Sequence, residues 1–231
     1  MRSTVNYPSF LAKRLDAKLT DLTVSGATLL NVLDTPQGML KSFRPQVDGV
    51  TSDADIVTIT AGGNDMGYIG GMMRDSFGLV GTLLVGSANA ASLAGEDEVV
   101  ERFEKVIDVV REKAPRARII LVEYLTLLGR DIKPGVNVPL DVQQVEKYRE
   151  MAKTLNRIYA RAAEGKQGVE VIPIAETSED HGVGSEEPWV SGHGWGLFYG
   201  GEMPWHPNEK GMKAVAETLY ERLKAEPRPK L

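Results

Sequence analysis

Apolar residues along this chain follow two spacings, one typical of buried β-strands and one typical of amphipathic helices. Continuous runs of apolar and β-branched residues predict strands at 54–63, 117–128 and 169–176, and a shorter strand at 19–26 that ends at Gly26. Elsewhere apolar positions recur every three or four residues. This second spacing predicts helices over 7–17, 97–113, 141–164 and 206–226.

The alternation of strands and helices predicts an α/β fold with a parallel sheet covered by helices on both faces. The strand at 54–63 has no polar face, so we expect it in the interior of the sheet. No repeat or linker divides the chain, and we expect a single domain over residues 1–231. Residues 177–205 are long, rich in Gly, Ser and Trp, and aperiodic. We interpret them as an ordered loop at a functional edge.

Composition excludes several function classes. The net charge of −5 and pI of about 5.4 argue against a nucleic-acid partner. The chain has no cysteine, which excludes a thiol nucleophile and thiolate metal sites and favours a cytoplasmic location. It has no apolar run long enough to span a membrane, and the first ten residues lack the apolar region of a signal peptide.

Three features are expected at the carboxyl ends of the strands, where function sits in an open parallel sheet. Gly26 ends the first predicted strand, the segment Gly62–Asp65 ends the second, and His206 precedes the last helix. A glycine N–H and the Asn64 amide can stabilise an oxyanion, and a histidine can act as a general base. The alternatives are a strand-ending turn at Gly26, a tight turn at Gly-Gly-Asn-Asp, and a helix-capping role for His206.

Phosphate and metal sites fit the sequence less well. The glycines at 62, 63, 67, 70 and 71 match neither G-x-x-x-x-G-K-[ST] nor G-x-G-x-x-G. The three histidines, His181, His193 and His206, include no pair spaced i, i+4. The sequence therefore predicts neither a cofactor nor a metal.

The stretches "NYPSFLAKRLDAKLTDLTVSGAT", "DADIVTITAGGND", "EDHGVGSEEPWVSG" and "PWHPNEKGMKAVAETL" resemble the SGNH hydrolases, the GDSL-type esterases and lipases. The resemblance implies a flavodoxin-like three-layer α/β/α sandwich that acts on a small ester or lipid. It implies that the Gly26 N–H and the Asn64 side-chain amide form the oxyanion hole. His206 is then the catalytic base, and Asp65 braces the turn.

Two departures from the family pattern concern the nucleophile and the orienting acid. The family's serine lies in a G-D-S block at the end of the first strand, and both this strand and this block are missing here. We therefore expect an N-terminally truncated chain, since neither Ser3 nor Ser25 matches the family nucleophile. Met203 stands where many members carry an aspartate, so Glu202 or a backbone carbonyl near 203 is expected to orient His206.

Three interpretations follow from this pattern. The first is a serine ester hydrolase that lacks its nucleophile segment. The second is an inactive SGNH-like binding protein, and the third is an unrelated flavodoxin-like nucleotide-binding domain. Without the first strand an apolar sheet edge would be exposed, which predicts a marginally stable chain or a dimer through that edge. The 177–205 loop is expected to form a substrate-pocket wall or a lid.

Overall fold

A computed structural model describes residues 4–38, 42–85, 93–193 and 203–225, with the backbone alone for 81–85. The described α-helices are α1 (Tyr7–Leu15), α2 (Leu29–Leu33), α3 (Tyr68–Val85), α4 (Glu96–Lys113), α5 (Val142–Ala163), α6 (Ile174–Thr177) and α7 (Glu209–Ala225). The strands are β1 (Ile56–Ile59), β2 (Arg118–Val122) and β3 (Val169–Ile172). Two short 3₁₀ helices, Gln46–Gly49 and Glu179–His181, complete the described elements.

The sheet is parallel, with the order β1-β2-β3, and helices pack on both of its faces. Side chains of β2 alternate between two cores: Ile120 and Val122 join one, and Ile119 and Leu121 join the other. Helices α1 and α7 pack together against the first core, and α2 and α4 against the second, while α5 contributes to both. This arrangement confirms the predicted three-layer α/β/α sandwich.

The four helices predicted from apolar spacing are present with shifted ends. Helix α1 stops at Leu15 because Asp16 adopts a left-handed conformation (φ 51°) that ends the helical hydrogen bonding. Helix α5 begins after Asp141, whose side chain accepts from the Gln144 N–H in a capping box. Sequence spacing did not predict α3, because glycines within it obscure the helical pattern. One of these, Gly78, kinks the helix.

Two strand predictions were wrong. Residues 17–24 form no strand in the described structure, because they have no hydrogen-bonded strand beside them, and a turn follows at 25–26. The strand predicted in the sheet interior is an edge among the described residues, since β1 pairs with β2 alone. Only Ile59 of β1 is buried, whereas four of the five residues of β2 are. The apolar run at 54–63 is typical of a strand with a paired strand on each side, which is why the sequence predicted an interior position.

Candidate active site

The chain leaves β1 through a tight glycine turn that positions Asn64. Gly62 has φ +92°, and a Cβ there would meet the Phe103 ring at 3.0 Å, so this position requires glycine. The Asn64 amide donates from Nδ2 to the Ala27 carbonyl at 2.9 Å. This bond joins the turn after β1 to the loop that contains Gly26, which itself has φ +79°. The structure thus places the Asn64 amide against the carbonyl of the residue that follows Gly26.

The side chain of the next residue, Asp65, anchors the glycine turn to α2 and α4. Its side chain is fully buried, accepts from the Leu29 N–H at 2.9 Å and pairs with Arg102 at 2.6 Å. Leu29 opens α2, so this carboxylate also stabilises the amino end of that helix. Burial raises the pKa of Asp65, although Arg102 and the Leu29 N–H favour its charged form. Its contacts agree with a bracing role.

His206 is oriented by the backbone. Its Nδ1 lies 2.8 Å from the Pro204 carbonyl oxygen, which can only accept a hydrogen bond. A hydrogen bond to this acceptor requires a proton on Nδ1, and in the neutral ring that tautomer leaves the lone pair on Nε2. A backbone carbonyl was one of the two expected orienting groups. The other, Glu202, lies outside the described residues.

The loop around His206 is clamped by a short backbone ladder. Ser191 donates its N–H to the His206 carbonyl at 2.9 Å and accepts from the Trp205 N–H at 3.0 Å. Trp205 is buried and adopts φ +60°, which is unusual for a bulky residue and turns the chain into His206. The Asn208 N–H donates to Trp189, whose ring stacks on His181 at 3.8 Å. The described part of the 177–205 loop therefore supports the histidine.

A tyrosine links the histidine side of the site to β1. The Tyr7 N–H donates to Met212 Sδ in α7 at 3.3 Å, and the Tyr7 hydroxyl donates to Thr58 Oγ1 at 3.2 Å. The head of α7 and the end of β1 are thereby held at the same edge of the sheet. Among the described residues, no hydrogen bond joins His206 to Asn64 or to any serine hydroxyl.

Tyr124, at the same end of the sheet, is another residue of the site that the sequence did not predict. Its hydroxyl accepts from the Gly63 N–H at 3.2 Å, and burial raises its pKa to about 12. Tyr124 also lines a cavity of about 540 Å³ with apolar walls that include Leu125, Leu127 and Leu155. Glu179 of the 177–205 loop lines the same cavity. The Gly63 contact joins residues 61 positions apart, so no local pattern signals it.

The described residues hold no cluster of three potential metal ligands. Nor does that part of the chain include a helix with the length and apolar character needed to cross a membrane.

Comparison with known proteins decides the family. Residues 1–214 match the model of the GDSL-like lipase/acylhydrolase family. The chain belongs to this family. Membership places it among esterases and lipases of the SGNH type, and it excludes the interpretation as an unrelated nucleotide-binding domain.

Lipase 2 of Streptomyces coelicolor is 28% identical over 239 residues, which cover 96% of this chain and 77% of that lipase. A lipase of Streptomyces rimosus is 24% identical over 192 residues, 82% of this chain and 66% of that lipase.

Solved structures share the fold of this GDSL-family chain. An extracellular lipase from Streptomyces rimosus superposes with a TM-score of 0.72 at 23% identity, covering 95% of this chain and 87% of that one. A phospholipase A1 from Streptomyces albidoflavus gives a TM-score of 0.70 at 19% identity, covering 96% and 87%.

Proposed function

We propose that this chain carries a carboxylester-hydrolase site in which His206 is the general base and Gly26 and Asn64 form the oxyanion hole. The observation that carries the proposal is the 2.8 Å contact between His206 Nδ1 and the Pro204 carbonyl. This contact fixes the tautomer in which Nε2 accepts a proton. A base of this kind, at the same end of the sheet as a glycine turn and an oriented amide, suits acyl transfer.

In the proposed reaction, a serine hydroxyl attacks the ester carbonyl while His206 Nε2 takes the hydroxyl proton. The negative charge that develops on the carbonyl oxygen is stabilised by the Gly26 N–H and by the Asn64 amide, which has a second N–H beyond the one bonded to Ala27. The tetrahedral intermediate collapses, and the alcohol leaves with the proton from His206. Water then attacks the acyl-serine in the same way and releases the acid.

Among the described residues, no serine hydroxyl contacts His206 to act as the nucleophile. In this situation His206 can activate water directly, and an oxyanion hole with a binding site still accelerates hydrolysis by about 10³–10⁴-fold over water. The chain should then release product without an initial burst, since no acyl-enzyme accumulates.

For the substrate we propose a small ester or a lipid with an apolar acyl group. The cavity beside Tyr124 supports this proposal, because four leucines and two tyrosines form one part of its wall. The three cationic residues on its lining are already paired: Arg149 with the Leu128 and Gly129 carbonyls, Arg130 with Glu179, and Lys153 with Glu150. We therefore propose a neutral acyl chain as its occupant.

The test is hydrolysis of p-nitrophenyl acetate and butyrate by the chain, with His206→Ala and Ser25→Ala beside it. We expect hydrolysis that depends on His206 and is unaffected at Ser25. A burst that disappears in Ser25→Ala would instead identify Ser25 as the nucleophile. Equal rates for the chain and for His206→Ala would overturn the proposal.

That last result would favour the second candidate, an inactive SGNH-like binding protein. The observation in its favour is that His206 contacts no serine hydroxyl in the described structure. Binding of a non-hydrolysable ester analogue without turnover would support it.

A further inference from the structure

Gly26, the glycine of the proposed oxyanion hole, lies in a four-residue turn that runs from Val24 to Ala27. The Ala27 N–H donates to the Val24 carbonyl at 3.2 Å, which closes the turn. Gly26, at the third position, has φ +79°, whereas Ser25, at the second, has no positive φ. A positive φ at the third position alone is characteristic of a type II turn. The central peptide group of this turn joins Ser25 to Gly26, and its N–H is the proposed oxyanion donor.

A turn with glycine at the third position can lose this orientation easily. Types I and II differ by a rotation of the central peptide group through about half a turn, while the flanking residues stay nearly in place. Glycine adopts the φ of either type without steric strain, so the residue itself does not select between them. Rotation to type I would turn the Gly26 N–H to the opposite side. The donor therefore needs a restraint from outside the turn.

The side chain of Gln37 supplies this restraint. Its Nε2 donates to the Ser25 carbonyl at 2.9 Å. In a trans peptide the carbonyl and the N–H point in opposite directions, and the described residues include no cis peptide bond. The hydrogen bond therefore directs the Ser25 carbonyl toward Gln37 and the Gly26 N–H away from it. Among the described residues, the Gly26 N–H donates to no other group, which leaves it available to a developing oxyanion.

The backbone of Gln37 is fixed beside the turn. Its N–H donates to the Phe43 carbonyl at 2.9 Å, and its carbonyl accepts from the Phe43 N–H at 2.8 Å. The side chain reaches the turn from this antiparallel bridge, so that Nε2 lies 3.7 Å from the place where a Cβ on Gly26 would stand. The amide is thus held against the central peptide group by a short, anchored side chain.

The rest of the loop is held by the turn after β1. The Ala27 carbonyl accepts from the Asn64 amide, and the Leu29 N–H donates to the Asp65 carboxylate. Both contacts lie on the carboxyl side of Gly26, so they leave the peptide group before it free to rotate. Within the described structure, the restraint on that peptide group comes from Gln37.

We propose that Gln37 is a positioning residue for ester hydrolysis: it locks the turn in type II and keeps the Gly26 N–H directed into the oxyanion hole. Gln37 acts through Gly26 and does not touch the substrate. This role rests on the proposed function, because the donor that it orients is the one that stabilises the oxyanion there. The hydrogen bond to the Ser25 carbonyl also polarises the shared peptide group, which makes its N–H a stronger donor.

The variant Gln37→Glu tests the lock, since the side chain keeps its size but ionises and loses its donor. A carboxylate repels the Ser25 carbonyl, and it accepts from the Gly26 N–H once the peptide group has rotated. Gln143→Glu is the matched control, because it makes the same change at an exposed position near the start of α5. Gln37→Met removes the donor without adding a charge, and it decides the matter if Gln37→Glu does not fold.

The first measurement is the nuclear Overhauser effect between the Ser25 Hα and the Gly26 amide proton, which requires no catalytic activity. These protons are close in a type II turn and distant in a type I turn, because rotation of the peptide group carries the amide proton away. We expect a strong signal in the wild type and in Gln143→Glu, most of it lost in Gln37→Glu, and a partial loss in Gln37→Met. A weak signal in the wild type, or an unchanged signal in either folded Gln37 variant, would overturn the proposal.

The second measurement is hydrolysis of p-nitrophenyl butyrate. Loss of one oxyanion donor typically lowers kcat by about 10²–10³-fold, so Gln37→Glu should lose about 10²-fold in kcat with KM nearly unchanged, and Gln143→Glu should match the wild type. A turn that rotates in Gln37→Glu without a loss of kcat would overturn the positioning role. If the wild type and His206→Ala hydrolyse the ester equally slowly, the proposed function fails, and the Overhauser signals alone decide whether Gln37 locks the turn.

Discussion

The ion pair beneath the active-site turn offers a sharp test of how the site is held. Arg102→Met removes the guanidinium 2.6 Å from Asp65 and leaves a carboxylate whose side chain is fully buried, with the Leu29 N–H as its remaining described hydrogen-bond donor. Breaking a buried pair by removing one partner typically costs about 3–5 kcal/mol, because the remaining charge loses its compensation. We expect a loss of this size in the free energy of unfolding, measured by urea denaturation at about pH 7.

The matched control is Arg14→Met, which breaks a pair with Glu217 whose side chains are both about half exposed. A surface pair is worth about 0–1 kcal/mol, so this variant should be nearly as stable as the wild type. A double variant, Asp65→Asn with Arg102→Met, should recover part of the loss, because it removes the buried charge.

The loss should also depend on pH. Burial already raises the pKa of Asp65, and removal of Arg102 raises it further. A carboxyl group with a raised folded-state pKa contributes stability that is present below its unfolded pKa and is lost as pH rises through the folded value. The deficit of Arg102→Met should therefore grow between about pH 4 and pH 7. A deficit that is independent of pH, or within about 1 kcal/mol of that of Arg14→Met, would refute this account of the turn.

Three further outcomes are expected. Asn64→Ala should lower kcat for p-nitrophenyl butyrate by about 10²–10³-fold with little change in KM, because it removes a hydrogen-bond donor to the oxyanion. An unchanged kcat would remove Asn64 from the mechanism. Burial raises the pKa of Glu123, so the stability of the protein should fall as pH rises above the ordinary pKa of a glutamate. The Tm of Glu123→Gln relative to the wild type should therefore increase between about pH 4 and pH 7. A Tm difference that does not change with pH would contradict this. Trp205→Ala should cost about 3–5 kcal/mol by urea denaturation, since the indole is buried, and a loss below about 1 kcal/mol would speak against its packing role.

Much of the fold follows from patterns that are local in the sequence. Strands β1 and β2 appear as continuous apolar runs, and α1, α4, α5 and α7 as apolar stripes, because each periodicity records the faces that an element buries. Gly26, Asn64 and His206 were identified from strand-end positions and from the family resemblance. In the structure the Asn64 amide bonds to the Ala27 carbonyl, next to Gly26, and the His206 ring bonds to the Pro204 carbonyl.

Other features depend on contacts between distant residues, which no window of sequence contains. The apolar run of β1 predicts an interior strand, yet strand pairing decides its neighbours, and in the described structure β1 pairs with β2 alone. The Pro204 carbonyl that orients His206, the Tyr124 hydroxyl on Gly63 and the Arg102 partner of Asp65 are likewise products of packing. The sequence determined which segments are apolar enough to be buried and which residue types are available for catalysis. Tertiary structure decided their partners, because hydrogen bonds and ion pairs depend on distances of a few ångströms that only the assembled chain sets.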